Sequence, residues 1–133
     1  MFEKFNFTSR QISNYYKAAS RNFIIARDSA IPEVTFTFSY ESLIKLAIAV
    51  CAKNGFRVKA RVGHHIELLK KLAEFMGDKS VFKVGDKMRR KRNLDLYGGG
   101  ILMSKKEAEE YKNWLKTVFA KAEIYLFGVN KLL

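Results

Sequence analysis

The stretch from Tyr40 to Lys53 constrains the fold more than any other, because Leu43, Ile44, Leu46, Ala47, Ile48, Ala49, Val50, Cys51 and Ala52 crowd it with apolar side chains on every side. A helix that is apolar around most of its circumference is stable only if other elements cover it. The stretch therefore predicts a central helix, with Ser39 as its N-cap and Asn54-Gly55 as its stop. At 133 residues the chain has the length of one domain and can bury a core of this kind.

The surrounding segments supply the cover. Thr8 and Gln11 have the spacing of a capping box, and Ile12, Tyr15, Ala19, Phe23 and Ala26 then recur with helical period. Asp28 to Pro32 ends this first helix, since the residue before a proline avoids helical geometry. Glu33 to Phe38 alternates polar and apolar residues like a strand, but no other segment offers it a partner, so we expect an extended loop there. Gly63-His64-His65 opens a third helix whose stripe is Ile66, Leu69, Ala73 and Met76, widened by Leu68, Leu72 and Phe75 and closed by Gly77. Asp78 to Val84 reads as a connection, and a fourth, basic helix follows that Gly98 to Gly100 would end. Ser104 with Glu107 has capping-box spacing, and Ala108, Tyr111, Leu115, Val118, Ala122 and Tyr125 give a long fifth helix with a narrow seam. Met1 to Asn6 reads as a leader and Phe56 to Arg61 as a cation-rich connection. Short connections between amphipathic helices favour antiparallel neighbours. The fold class expected is all-α, an up-and-down bundle of about five helices in a single domain.

Charge narrows the partners. There are 25 Lys and Arg against 13 Asp and Glu, a net charge of +12, which points to a polyanion: nucleic acid first, an anionic surface second, an acidic protein third. The charge is densest at Arg89-Arg90-Lys91-Arg92-Asn93. Arg89, Arg92, Asn93 and Leu96 share one stripe of a helix, with Arg90 and Lys91 on its flanks. Guanidinium forks suit phosphate oxygens, the Asn93 amide can bond a sugar or base edge, and the Tyr97 ring can stack on a base or fill the core. The same run is also what an ordinary solvated helix face looks like.

Other chemistry is less well supported. His64 and His65, the only histidines, are adjacent on a helix and point about 100° apart, a poor metal pair. No metal or cofactor is implied. His65 lies on the stripe of Leu68, Leu72 and Phe75, so it reads as a partly buried residue whose ring caps or orients a turn. Cys51 is the single cysteine and reads as a core thiol. The glycine run lacks the Lys-Ser or Lys-Thr of a phosphate loop. With no secretory signal and no apolar run near ~20 residues, we expect no membrane partner and a soluble, cytoplasmic location.

The order of these segments resembles the HEPN superfamily of helical bundles. The likeness runs from about Phe7 to Leu126. It rests on Ser39-Tyr40-Glu41-Ser42-Leu43 opening the apolar helix, Gly63-His64-His65, the Arg89-Arg90-Lys91-Arg92-Asn93 and Asp95-Leu96-Tyr97 block, and Ser104-Lys105-Lys106-Glu107-Ala108. The resemblance implies an RNA- or nucleotide-facing groove, a homodimer, and a small nucleotidyltransferase as partner in a paired toxin and antitoxin system. Active HEPN ribonucleases carry an Arg and polar residue, then a His four to six residues after the Arg, and cut RNA without metal. Arg92 and Asn93 match the first part, but Tyr97, Gly98 and Gly99 stand where the His belongs. A phenol with a pKa near 10 is a poor base at neutral pH. The first expectation is thus a non-catalytic or weakly catalytic RNA or nucleotide binder using Arg89, Arg90, Lys91, Arg92, Asn93 and Tyr97. The second is a metal-independent ribonuclease with His65 as base and Arg92 stabilising charge. The third is a helical protein-interaction module.

Overall fold

Proline 32 ends one helix and begins the next. It forces Ile31 into extended geometry (φ −96°, ψ 114°), yet its own fixed φ suits the first position of the following helix. The computed structural model describes residues 2–59, 63–97 and 103–128, the side chains of 95–97 excepted. Its elements are β1 (Phe2–Lys4), α1 (Ser9–Asp28), α2 (Pro32–Lys53), β2 (Phe56–Val58), α3 (His64–Met76), α4 (Lys79–Tyr97) and α5 (Lys105–Phe127). The protein is an all-α helical bundle, with five helices and one short two-stranded ribbon among the described residues.

The central helix is where the sequence puts it. The α2 helix packs against α1 and α5 most extensively, then α3, then α4, and Tyr40, Leu43, Leu46, Ala47, Ala49 and Val50 are fully buried. By length and composition alone α2 could cross a membrane, but 67% of its apolar window is consumed by packing against the other helices. Cys51 lies in this core, and burial pushes its thiol up to about 12.

Glu33 to Phe38 is helix, not extended loop. Thr35, Phe36, Ser39, Tyr40, Ser42 and Leu43 are the buried residues here, recurring at the three- and four-residue intervals of a helix. The alternation of Val34, Phe36 and Phe38 misleads because only Phe36 of the three is fully buried. Ser39 consequently lies inside the helix rather than at its cap. In α1 the capping box of Thr8 and Gln11 is present in both directions. Its buried stripe takes Tyr16, not Tyr15, which is exposed.

The ends of the third and fourth helices are set locally. Gly77, with φ +63°, closes α3 in the left-handed conformation that glycine tolerates best. Asp78 then accepts the Ser80 amide at 2.9 Å in the manner of an N-cap, so α4 begins at Lys79 rather than after Val84. Gly85 sits mid-helix, where a Cβ would lie 2.7 Å from a Leu69 methyl and 3.3 Å from one of Leu43. Its missing side chain lets α4 close on α3 and α2. Ser104 caps α5 through the Glu107 amide at 3.0 Å. Its buried face is wider than a seam, adding Phe119, Glu123 and Leu126.

Phe2–Lys4 of the leader and Phe56–Val58 of the cation-rich connection are paired strands, Phe2 opposite Val58 and Lys4 opposite Phe56. Glu3 binds Arg57 Nε at 2.7 Å and lies 3.7 Å from Lys59, so these cations hold the ribbon together. Lys71 of α3 lies within 5.9 Å of the Phe2, Phe56 and Phe75 ring centroids and ties the ribbon to the bundle.

Candidate functional site

The packing of α4 decides which way its cations face. With Val81, Gly85 and Met88 buried, residues a turn further along, Arg89 and Arg92, are carried toward α2 and α3 and are only 22% and 26% exposed. Arg90 points outward at 66%. The i, i+3 stripe of Arg89 and Arg92 thus exists, with Asn93 half-buried beside it. The Tyr97 side chain and Gly98 to Gly100 lie outside the described residues.

The stripe is not an open row of cations. Arg89 Nε donates to Asp86 Oδ1 at 2.9 Å, and Arg90 Nε lies 3.5 Å from Oδ2 of the same carboxylate. Arg92 Nη2 donates to Glu41 Oε1 at 3.2 Å, and Lys91 Nζ lies 2.9 Å from Glu107 Oε1. Every cation of the run therefore meets a carboxylate of its own chain, which corrects the picture of a stripe free to take phosphate. The pairing is incomplete in charge and in donors. Three guanidinium groups share Asp86 and Glu41, and each offers five donors, of which Arg89 and Arg92 spend one apiece on these hydrogen bonds. The carboxylates hold the forks in place and leave part of each unused.

His65 belongs to the same cluster. Its Nδ1 lies 2.7 Å from the Tyr40 hydroxyl, and the Arg92 guanidinium stands 5.8 Å from the Tyr40 ring centroid. Tyr40 is fully buried, which raises its phenol pKa and keeps the proton on oxygen. That proton goes to the partner shown for it among the described residues, His65 Nδ1. Nδ1 is then the acceptor, and Nε2 carries the imidazole hydrogen. Burial, then the neighbouring His64, Arg92 and Arg89, lower the His65 pKa to about 4. At neutral pH the ring is uncharged, a weak base with one lone pair already engaged.

A second feature lies on the other side of α4. A groove of about 400 Å³ separates it from α5, lined by Val84, Lys87, Lys91, Glu107, Glu110, Tyr111 and Trp114. Lys79, Lys83 and Lys87 are exposed along α4, and among the described residues no ion pair engages them. In the sequence these cations are overshadowed by the consecutive run. Their signal was the four-residue spacing of Lys79, Lys83, Lys87 and Lys91. Among the described residues no cluster of three His, Cys, Asp or Glu side chains could hold a metal. Compared with protein-family models, curated proteins and solved structures, the chain matches none of them.

Proposed function

We propose that this is a HEPN-like RNA- or nucleotide-binding protein that lacks ordinary ribonuclease chemistry. The observation that carries the reading is the side-chain cluster where α2, α3 and α4 meet. There the Arg89 and Arg92 forks, held by Asp86 and Glu41, flank a neutral His65 whose acceptor nitrogen is taken by Tyr40. A phosphate group there meets spare guanidinium donors and the Nε2 hydrogen in a partly buried, low-dielectric setting. The net charge of +12 adds long-range attraction for any polyanion. A base of pKa about 4 removes a ribose proton poorly at neutral pH, which supports binding over cleavage.

The test is a gel shift on mixed RNA across a salt series, run alongside a metal-free cleavage assay. Wild type should bind, with affinity falling steeply as salt rises. The Arg89→Ala/Arg92→Ala double variant should reduce the logarithmic salt slope by about 1.4, two contacts on a single strand. Absence of binding, or binding indifferent to salt, overturns the reading. A second reading, metal-independent cleavage, draws on the placement of Arg92 beside His65. It requires cutting by wild type that His65→Ala abolishes. The homodimer and the nucleotidyltransferase partner follow from the HEPN likeness. They predict a dimer mass in solution and co-purification of a nucleotidyltransferase expressed with the chain.

A further inference from the structure

We propose that the groove between α4 and α5 is a base-recognition site for single-stranded RNA that favours cytosine over uracil. The inference rests on the reading of the chain as an RNA binder but uses a different surface. Trp114 and Tyr111 line the groove, and Trp114, half-buried, offers a ring on which a base can stack. Stacking of this kind is strong and indifferent to base identity. Lys87 lies in the same groove, with Lys83 and Lys79 at successive turns of α4 beyond it, so a phosphate backbone has unengaged ammonium groups to follow.

Discrimination comes from the carboxylates. Glu107 is committed to Lys91 at 2.9 Å. Glu110 is exposed, lines the groove, and among the described residues is tied to no cation. It stands one helical turn before Trp114, on the same face. A carboxylate accepts from the exocyclic amine of cytosine but meets only a carbonyl oxygen at that position of uracil. A pure phosphate track would have no use for Glu110, which would weaken it. Beside a stacking ring the same group becomes a selector.

Trp114 is the single tryptophan, so the emission comes from a ring that lines this groove. The full chain is titrated with fluorescein-labelled oligocytidylate and oligouridylate of about 12 nucleotides, following tryptophan quenching and fluorescein anisotropy together. Oligocytidylate should quench Trp114 and bind about 5-fold more tightly than oligouridylate. Glu110→Ala should erase that preference without weakening oligouridylate. Lys83→Ala/Lys87→Ala should weaken both ligands several-fold with an unchanged helical circular dichroism spectrum. Binding seen by anisotropy with unaltered tryptophan emission, or equal affinity of wild type for the two ligands, overturns the groove while leaving the RNA binder intact. Loss of binding to both in wild type overturns both.

Discussion

Two faces of α4 carry comparable charge and use it in opposite ways. On the inner face Arg89 and Arg92 are half-buried and tethered to Asp86 and Glu41. On the outer face Lys79, Lys83 and Lys87 extend into solvent with no carboxylate engaged among the described residues. The difference follows from desolvation. A guanidinium carried toward the core must find an anion, whereas an exposed ammonium is satisfied by water. Charge density along a sequence is therefore a poor measure of the charge available to a ligand. The inner face offers few, well-oriented donors suited to one phosphate, and the outer face offers diffuse attraction suited to a strand.

The largest effect should come from removing what brings the inner face together. Gly85→Val places a branched side chain against Leu69 and Leu43, where even a Cβ lies at 2.7 Å. We expect a loss of about 2–3 kcal/mol in urea unfolding and a weakened RNA gel shift. Unfolding at the wild-type midpoint would mean that α4 does not need this approach.

Acid should act next, and on the inner face. The His65 pKa is lowered to about 4 in the folded chain from an ordinary value near 6.5. The unfolded state thus binds more protons between those values, and stability present above pH 6.5 is lost as pH falls toward 4. The full difference corresponds to about 3 kcal/mol, which solvent screening at this partly exposed ring reduces to the order of 2 kcal/mol, and it should vanish in His65→Gln. Because the chain has two histidines, an NMR titration can also follow the ring directly. Tyr40→Phe keeps the burial that chiefly lowers the His65 pKa, so in that variant the ring should still titrate well below 6.5.

Releasing the tethers should narrow the contrast between the faces. Asp86→Asn frees Arg89 and Arg90 together and is expected to tighten RNA binding about 3-fold while costing about 1 kcal/mol of stability. Weaker binding would show that the carboxylate orients the forks more than it competes for them. Glu107→Gln, which frees Lys91 and keeps a residue suited to the start of α5, should change stability by only a few tenths of a kcal/mol. A loss above about 1 kcal/mol would mean that the Lys91 pair joins α4 to α5 rather than lying at the groove's edge.

The same contrast explains what could be read without coordinates. The Thr8 and Ser104 caps, the Gly77 stop and the central place of Tyr40 to Lys53 were legible, because each depends on neighbours within one helical turn or on the sheer apolarity of a segment. The ion pair of Asp86 with Arg90 follows from the same locality, the two standing four residues apart on one helix. Glu33 to Phe38 was misread because three alternating residues fit a strand until the wider pattern through Tyr40 is included. The ribbon of Phe2–Lys4 with Phe56–Val58 was invisible, since neither three-residue strand has a signature of its own.

By itself the sequence determined that helices form, where most of them end, which one lies at the centre and that the whole is strongly basic. Capping, hydrophobic period and composition are local or additive, so they can be read in order along the chain. Tertiary structure alone decided that Arg92 meets Glu41, that Lys91 meets Glu107 and that Tyr40 holds the His65 ring. Those partners lie many turns apart along the chain, and they are fixed only when packing of buried faces sets how each helix is turned about its own axis.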